Sequence, residues 1–148
     1  MKETIDESLR FLTDEDIHSI VAYLKSVPAE ETHANANAAP QNETARQDGQ
    51  AYLTNCASRH RVDGKGVAGA ISSLVGNSAV LAEGPENLIR VALRGLPASH
   101  GLSPMPAVGA GMSDQDVADA ANHVRSAWGN SAPGSTGAGS VAALRQQT

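Results

Sequence analysis

The side chains best suited to chemistry in this sequence stand close together. Cys56, the only cysteine, and His60 lie one helical turn apart in Cys56-Ala57-Ser58-Arg59-His60. A thiol and an imidazole at that spacing have three readings. The plainest is a small buried thiol beside an unrelated histidine, because free cysteine is commonly a core residue. A zinc site needs two further ligands, yet His18, His33, His100 and His123 are scattered, with no second paired spacing. The third reading is covalent haem attachment. In the Cys-x-x-Cys-His signature both thiols add to the haem vinyl groups and the histidine becomes an iron ligand. Here the first cysteine and the histidine keep that spacing, and Arg59 stands where the second cysteine belongs.

A low-spin haem iron in an electron-transfer site takes a second axial ligand, and a thioether raises its potential by favouring ferrous iron. Met105 is the candidate, in Leu102-Ser103-Pro104-Met105-Pro106-Ala107-Val108-Gly109. The alternative for a lone methionine is a gap-filling core residue. Prolines on both sides restrict the backbone and so reduce the entropy lost on fixing a ligand. Met112 is the fallback, and reads better as a packing residue just ahead of a helix cap.

Helices must position these groups. A short helix over about residues 48–56 leads into the Cys/His turn, followed by the glycine loop Asp63-Gly64-Lys65-Gly66. Pro85 suits the first position of a helix carrying Leu88, Ile89, Ala92 and Leu93 on one face, closed by Gly95. Residues 97–111 read as an irregular loop around Met105. A last helix opens at Ser113, with Val117, Ala120, Ala121, Val124 and Trp128 on one face, and stops near Gly129.

Upstream, residues 9–27 read as a helix with Thr13 as N-cap and Ile17, Ile20, Val21 and Leu24 as an apolar stripe. Thr13-Asp14-Glu15-Asp16-Ile17 matches Ser113-Asp114-Gln115-Asp116-Val117, and the match continues through Leu24/Val124, Lys25/Arg125 and Ser26/Ser126. Capped amphipathic helices resemble one another on physical grounds alone. The length of the match predicts more: two closing helices of the same kind of domain, the first with only about eleven residues before it. The expected organisation is a domain remnant over 1–28, a linker over 29–44, a domain over 45–130 and a flexible Ser/Gly/Ala-rich tail over 131–148, whose last residues dock at most loosely.

Composition narrows the function. The chain of 148 residues carries a net charge of -5 and no basic run, which argues against a nucleic-acid partner. Phe11, Tyr23, Tyr52 and Trp128 are its only aromatic residues, so a core of side chains alone would be thin, and a large apolar cofactor would supply the missing interior. No acid/base pair, nucleophile arrangement or phosphate loop stands out, so the expected protein is not an enzyme in its own right. A single cysteine excludes an internal disulfide and leaves the redox compartment open. Neither a signal peptide nor a membrane span is predicted. As written, the chain would stay in the cytoplasm, whereas haem attachment of this type takes place outside the cytoplasmic membrane in bacteria.

The order of Tyr52, Cys56-x-x-x-His60, Asp63-Gly64-x-Gly66, the 88–93 helix, Met105-Pro106-Ala107 and the Trp128 helix resembles a class I c-type cytochrome domain. More narrowly, it is similar to the C-terminal haem domain of the multihaem cytochrome subunit of membrane-bound bacterial alcohol and gluconate dehydrogenases. The likeness covers about residues 47–130, and residues 1–28 resemble the end of a preceding haem domain, with Met1 where that domain's axial methionine would lie. It implies an all-α cytochrome c-like fold of short helices around a haem pocket, with long Gly/Pro-rich loops. It further implies haem c held through Cys56, with His60 as proximal and Met105 as distal iron ligand, and Tyr52 and Trp128 on two helices crossing beside it. The expected function is electron transfer from a dehydrogenase catalytic subunit toward quinone or another cytochrome, at the periplasmic face of the inner membrane. Arg59, and Arg61 in place of a small residue, depart from the family pattern. Attachment through a single thioether, or none, is therefore expected, and the alternative is a haem-free remnant or docking piece.

Overall fold

The computed structural model describes residues 2–28, 43–99 and 101–147; residues 29–42 of the expected linker, together with Met1, His33 and His100, lie outside them. The chain divides into two units, Met1–Thr32 and His33–Thr148. In the first, α1 (Lys2–Glu7) and a 3-10 turn (Leu9–Phe11) precede α2 (Asp14–Ser26). Thr13 caps α2 with a reciprocal box, since its hydroxyl accepts from the Asp16 amide and the Asp16 carboxylate accepts from the Thr13 amide. The stripe of Ile17, Ile20, Val21 and Leu24 is exposed along this helix.

The second unit is built of α3 (Glu43–Asn55), α4 (Ala57–His60), α5 (Ser78–Leu81), α6 (Glu86–Arg94), α7 (Asp114–Ser126) and α8 (Ala138–Gln146). Its described residues form only isolated β-bridges besides these helices, so the fold is all-α as the periodicity predicted. Ser113 caps α7 by accepting from the Asp116 amide, and Asp114 and Asp116 complement the positive end of the helix dipole. Val117, Ala118, Ala120, Ala121 and Val124 are buried along α7, which packs chiefly on α3. One core cluster joins Ile89 and Leu93 of α6 to Val117, Ala118 and Ala121 of α7 and to Val141 and Leu144 of α8. A second joins Tyr52, Val80 and Val124, with Trp128 packed against them.

Helix α7 ends three residues short of Gly129, because Ala127 is already extended (φ −84°, ψ 164°), and Trp128 then takes a left-handed φ of 55°. Asn130 then folds back, its side-chain amide donating to the carbonyls of Val124 and Leu74 while its oxygen accepts from the Gly76 amide. Trp128 therefore sits beyond the helix rather than on it. Its indole donates to the Val62 carbonyl at 3.0 Å, and the Tyr52 hydroxyl donates to the Arg61 carbonyl at 2.6 Å, so both aromatics hold the loop after His60. Gly64, at φ 68°, lies against the Trp128 ring, where any Cβ would collide.

The fully buried Arg125 links three segments. Its guanidinium donates to the carbonyls of Val80, Ala82, Glu83, Gly84 and Pro133 at 2.6–3.3 Å, gathering the chain between α5 and α6 onto α7. Burial lowers its pKa, while the nearby Glu86 carboxylate opposes that shift.

The tail differs from expectation. Residues 131–148 were expected to be flexible, yet residues 138–146 form α8, with Val141 fully buried and Leu144 nearly so. Thr136 exchanges two hydrogen bonds with the Asn122 side chain. Arg145 pairs with Asp114 at 2.8 Å and donates to the carbonyls of Gly109 and Met112. The physical reason is tertiary: the small residues make no strong local pattern, while Val141 and Leu144 gain their burial against α6 and α7. Leu144→Ala is expected to cost about 2–5 kcal/mol of unfolding free energy, as for a core leucine, where a loose tail would show no change in urea denaturation. Arg125→Met should destabilise by about 3 kcal/mol or more in the same assay, because it strands buried carbonyls.

Candidate functional site

The Cys/His turn is formed locally. Cys56 stands between α3 and α4, and the amides of Arg59 and His60 both donate back to its carbonyl. Arg61 then takes a φ of 65° and turns the chain away, so that His60 ends α4 with its ring buried. His60 Nδ1 lies 3.2 Å from the Ser72 carbonyl oxygen. A proton on Nδ1 satisfies that carbonyl and leaves Nε2 with the lone pair, the arrangement that orients a ligating imidazole. Burial lowers the His60 pKa, which keeps the ring neutral and able to donate a lone pair. Burial likewise pushes the Cys56 thiol up, so it rests as a thiol rather than a thiolate.

Met105 is placed from the other side. Its amide donates to the Leu96 carbonyl at 2.9 Å, and its carbonyl accepts from the Leu96 amide at 2.8 Å. The close approach requires Gly95, at φ 72°, because a Cβ there would run into the Met105 carbonyl oxygen. The loop from 97 to 111 is irregular as expected, apart from a 3-10 turn at Val108–Gly111.

Between these elements lie two adjoining hollows, with empty volumes of about 570 and 880 Å³ including their open mouths. Cys56, His60 and Met105 all line the first, and His60 and Met105 also line the second. Leu88, Val91 and Ala92 of α6 face the first hollow while Ile89 and Leu93 turn into the core, so α6 has two apolar faces with different tasks. Ala120 and Ala121 supply the α7 wall, their short side chains leaving room that larger residues would fill. Met112 borders the first hollow and also packs on the core cluster, whereas Met105 borders both hollows with His60.

The sequence had no signal for two contacts, because both fall on backbone carbonyls: Ser72 as the partner of His60 and Pro104 as the partner of Arg59. Nor did it reveal the ring cluster of Tyr52, His123 and Trp128, whose centroids lie 5.0–5.2 Å apart. Of these three, Tyr52 lines the first hollow. No group of three or more His, Cys, Asp or Glu side chains is arranged to hold a metal among the described residues.

The donor set suits a haem: apolar walls, one neutral imidazole with a free nitrogen, one thioether sulfur on the same hollow, and a thiol one turn from the imidazole. Residues 47–128 match the family described as cytochrome c, and the chain belongs to that family. It is 36% identical, across 98% of its length, to the cytochrome c subunit of alcohol dehydrogenase (quinone) from Gluconacetobacter polyoxogenes, of which it covers 34%. It is 31% identical, across 99% of its length, to the gluconate 2-dehydrogenase cytochrome c subunit of Pantoea cypripedii, of which it covers 36%. Cytochrome c-552 of Thermus thermophilus is 35% identical over 58% of the chain and 64% of that protein. The chain thus spans about a third of the length of the dehydrogenase subunits it matches. The family implies haem c with iron, in agreement with the donors around the hollow. None of the described helices is long and apolar enough to cross a membrane.

His123 makes the ring cluster pH-sensitive. Burial lowers its pKa below the ordinary 6.5, so the unfolded chain binds more protons than the folded one between the lowered value and 6.5. Its contribution to stability is present in full above that window and is lost as the pH falls through it. His123→Phe should therefore flatten the fall in urea midpoint between about pH 7.5 and 5.5, part of which His60 will retain.

Proposed function

We propose that the chain is a single-haem electron-transfer module belonging to a dehydrogenase cytochrome subunit, with no substrate chemistry of its own. The observation that carries this reading is the convergence of His60 and Met105 on one apolar hollow whose rim holds Cys56. Cys56 would hold haem c through a single thioether, His60 Nε2 would be the proximal ligand and Met105 the distal one. Haem iron supplies reversible one-electron transfer when bound. The protein's own residues do the rest. Ser72 fixes the imidazole through Nδ1, and hydrogen bonding there raises the basicity of the opposite nitrogen. Leu74, Leu88, Val91 and Val108 keep water from the hollow, and the Leu96 pairing holds the methionine loop. Dry, apolar surroundings and a thioether both favour the reduced form.

The names of the relatives suggest a dehydrogenase catalytic subunit as electron donor and quinone as acceptor; a second cytochrome as acceptor and a place at the periplasmic face of the inner membrane rest on the resemblance to membrane-bound dehydrogenase subunits alone. Residues 1–28 fit the closing helix of a preceding domain. The support is the repeat: α2 and α7 share their cap and stripe, but the stripe of α7 is buried under α3, α6 and α8 while that of α2 is exposed. The haem domain would run from α3 through α8, whose Val141 and Leu144 belong to its core.

The test is export of the full chain behind a cleavable leader, alongside a cytochrome c maturation system. The parent is expected to show a reduced c-type spectrum and haem that survives denaturation. His60→Ala should abolish it. Met105→Ala should retain haem, lose the sulfur-to-iron charge-transfer band and lower the potential. Arg59→Cys should raise the fraction carrying haem. A parent and an Arg59→Cys chain that both emerge without haem would overturn the proposal and leave a haem-free docking role.

A further inference from the structure

The side chain at the departure from the two-cysteine signature is engaged. Arg59 Nη2 donates to the Pro104 carbonyl at 2.8 Å, across 45 residues of sequence. Its Nε is shut off from solvent without a partner, and the residue borders the second hollow beside His60 and Met105. Pro104 immediately precedes Met105. The methionine loop is thus held close to Met105 by the paired bonds to Leu96, by the Ser103 amide donating to the Ala70 carbonyl, and by Arg59, besides the bond from Arg145 to the Gly109 carbonyl farther along. The first two are backbone to backbone. The third alone comes from the turn that carries Cys56 and His60.

Resting on the haem-site reading above, we infer that Arg59 is a positioning residue for Met105. A second cysteine would tie the turn to the macrocycle and only through it, by way of iron, to the methionine. Arg59 ties the turn to the methionine loop directly. The chemistry suits the task. A guanidinium is always charged and its bond to a carbonyl is stronger than one between neutral groups. Its stem is long enough to cross the mouth of the hollow, and a rigid neighbour on each side of Met105 passes the restraint to the sulfur-bearing residue. A protein that loses one covalent attachment gains most from holding both axial ligands in register beforehand, because ordering a loop at the moment of binding weakens the binding. The buried, unpartnered Nε is a cost that a solvent-facing arginine would not bear.

The first measurement is amide hydrogen exchange in the haem-free full chain, comparing the parent with Arg59→Lys, Arg59→Ala and Arg59→Met. Loss of the donor in the Ala and Met variants should speed exchange of the Leu96 and Met105 amides about tenfold, with the α7 amides unchanged. Arg59→Met keeps the aliphatic stem and so separates loss of the bond from loss of packing. Arg59→Lys retains one donor for Pro104 and should stay within about twofold of the parent. In haem-loaded protein the Ala and Met variants should weaken the sulfur-to-iron charge-transfer band and lose it at lower temperature, while Lys preserves it. Unchanged exchange at Leu96 and Met105 in both Ala and Met would overturn the inference even if the parent takes up haem. A parent that takes up no haem, with accelerated exchange in both variants, would instead sink the haem reading and leave the tie standing.

Discussion

One buried cation organises the larger unit. Arg125 has almost no exposure and spends its guanidinium on five backbone carbonyls rather than on a carboxylate. Those carbonyls belong to a stretch with little regular structure, residues 80–84, and to Pro133 in the connection to α8. A helix can satisfy its own backbone; irregular chain packed against it cannot, and its carbonyls need donors. Arginine offers five in a fixed plane. With Arg125 in place, α5 and the start of α6 lie against α7, and the hollow that holds His60 and Met105 has its wall. The α2 helix carries Lys25 at the matching position. A lysine ammonium is a compact point charge, without the planar fork that spans several carbonyls at once.

The hollow is made by what the helices leave out as much as by what they present. The short side chains of Ala120 and Ala121 leave space in the α7 wall of the hollow. The walls are apolar and the two oriented donors face each other's element from opposite sides of the chain, one ending a four-residue helix, the other on a proline-flanked loop. Hydrogen bonds to backbone carbonyls orient both: His60 Nδ1 lies against the Ser72 carbonyl, and the Met105 amide donates to that of Leu96. The restraint from Arg59 to Pro104 closes this ring of contacts. The positions of His60 and Met105 are thus limited by the fold.

Much of the helical frame could be read from local signals. The caps at Thr13 and Ser113 and the stop at Gly95 follow from side-chain chemistry that acts within a few residues, and so do the stripes of α6 and α7. Two errors came from interactions that are not local. The tail reads as flexible because Gly, Ser and Ala carry no strong periodicity, yet Val141 and Leu144 are core residues. Trp128 reads as the last residue of a helical face, but the chain leaves the helix at the extended Ala127, and the Asn130 side chain caps the turn that follows.

Residue types and their order by themselves determined that the chain is helical, belongs with cytochrome c-like sequences and carries one thiol, one neighbouring imidazole and one proline-flanked thioether. The helices and the interval between thiol and imidazole are legible because helix periodicity and covalent attachment both impose fixed spacings along the chain; the cytochrome c likeness rests on resemblance to a known family. The tertiary structure alone decided that Cys56, His60 and Met105 border one hollow, that the Nδ1 of His60 turns to Ser72, and that Arg59 reaches Pro104 rather than solvent. Such contacts depend on backbone carbonyls, which every residue has and no sequence pattern marks, brought together by packing between segments far apart in the chain.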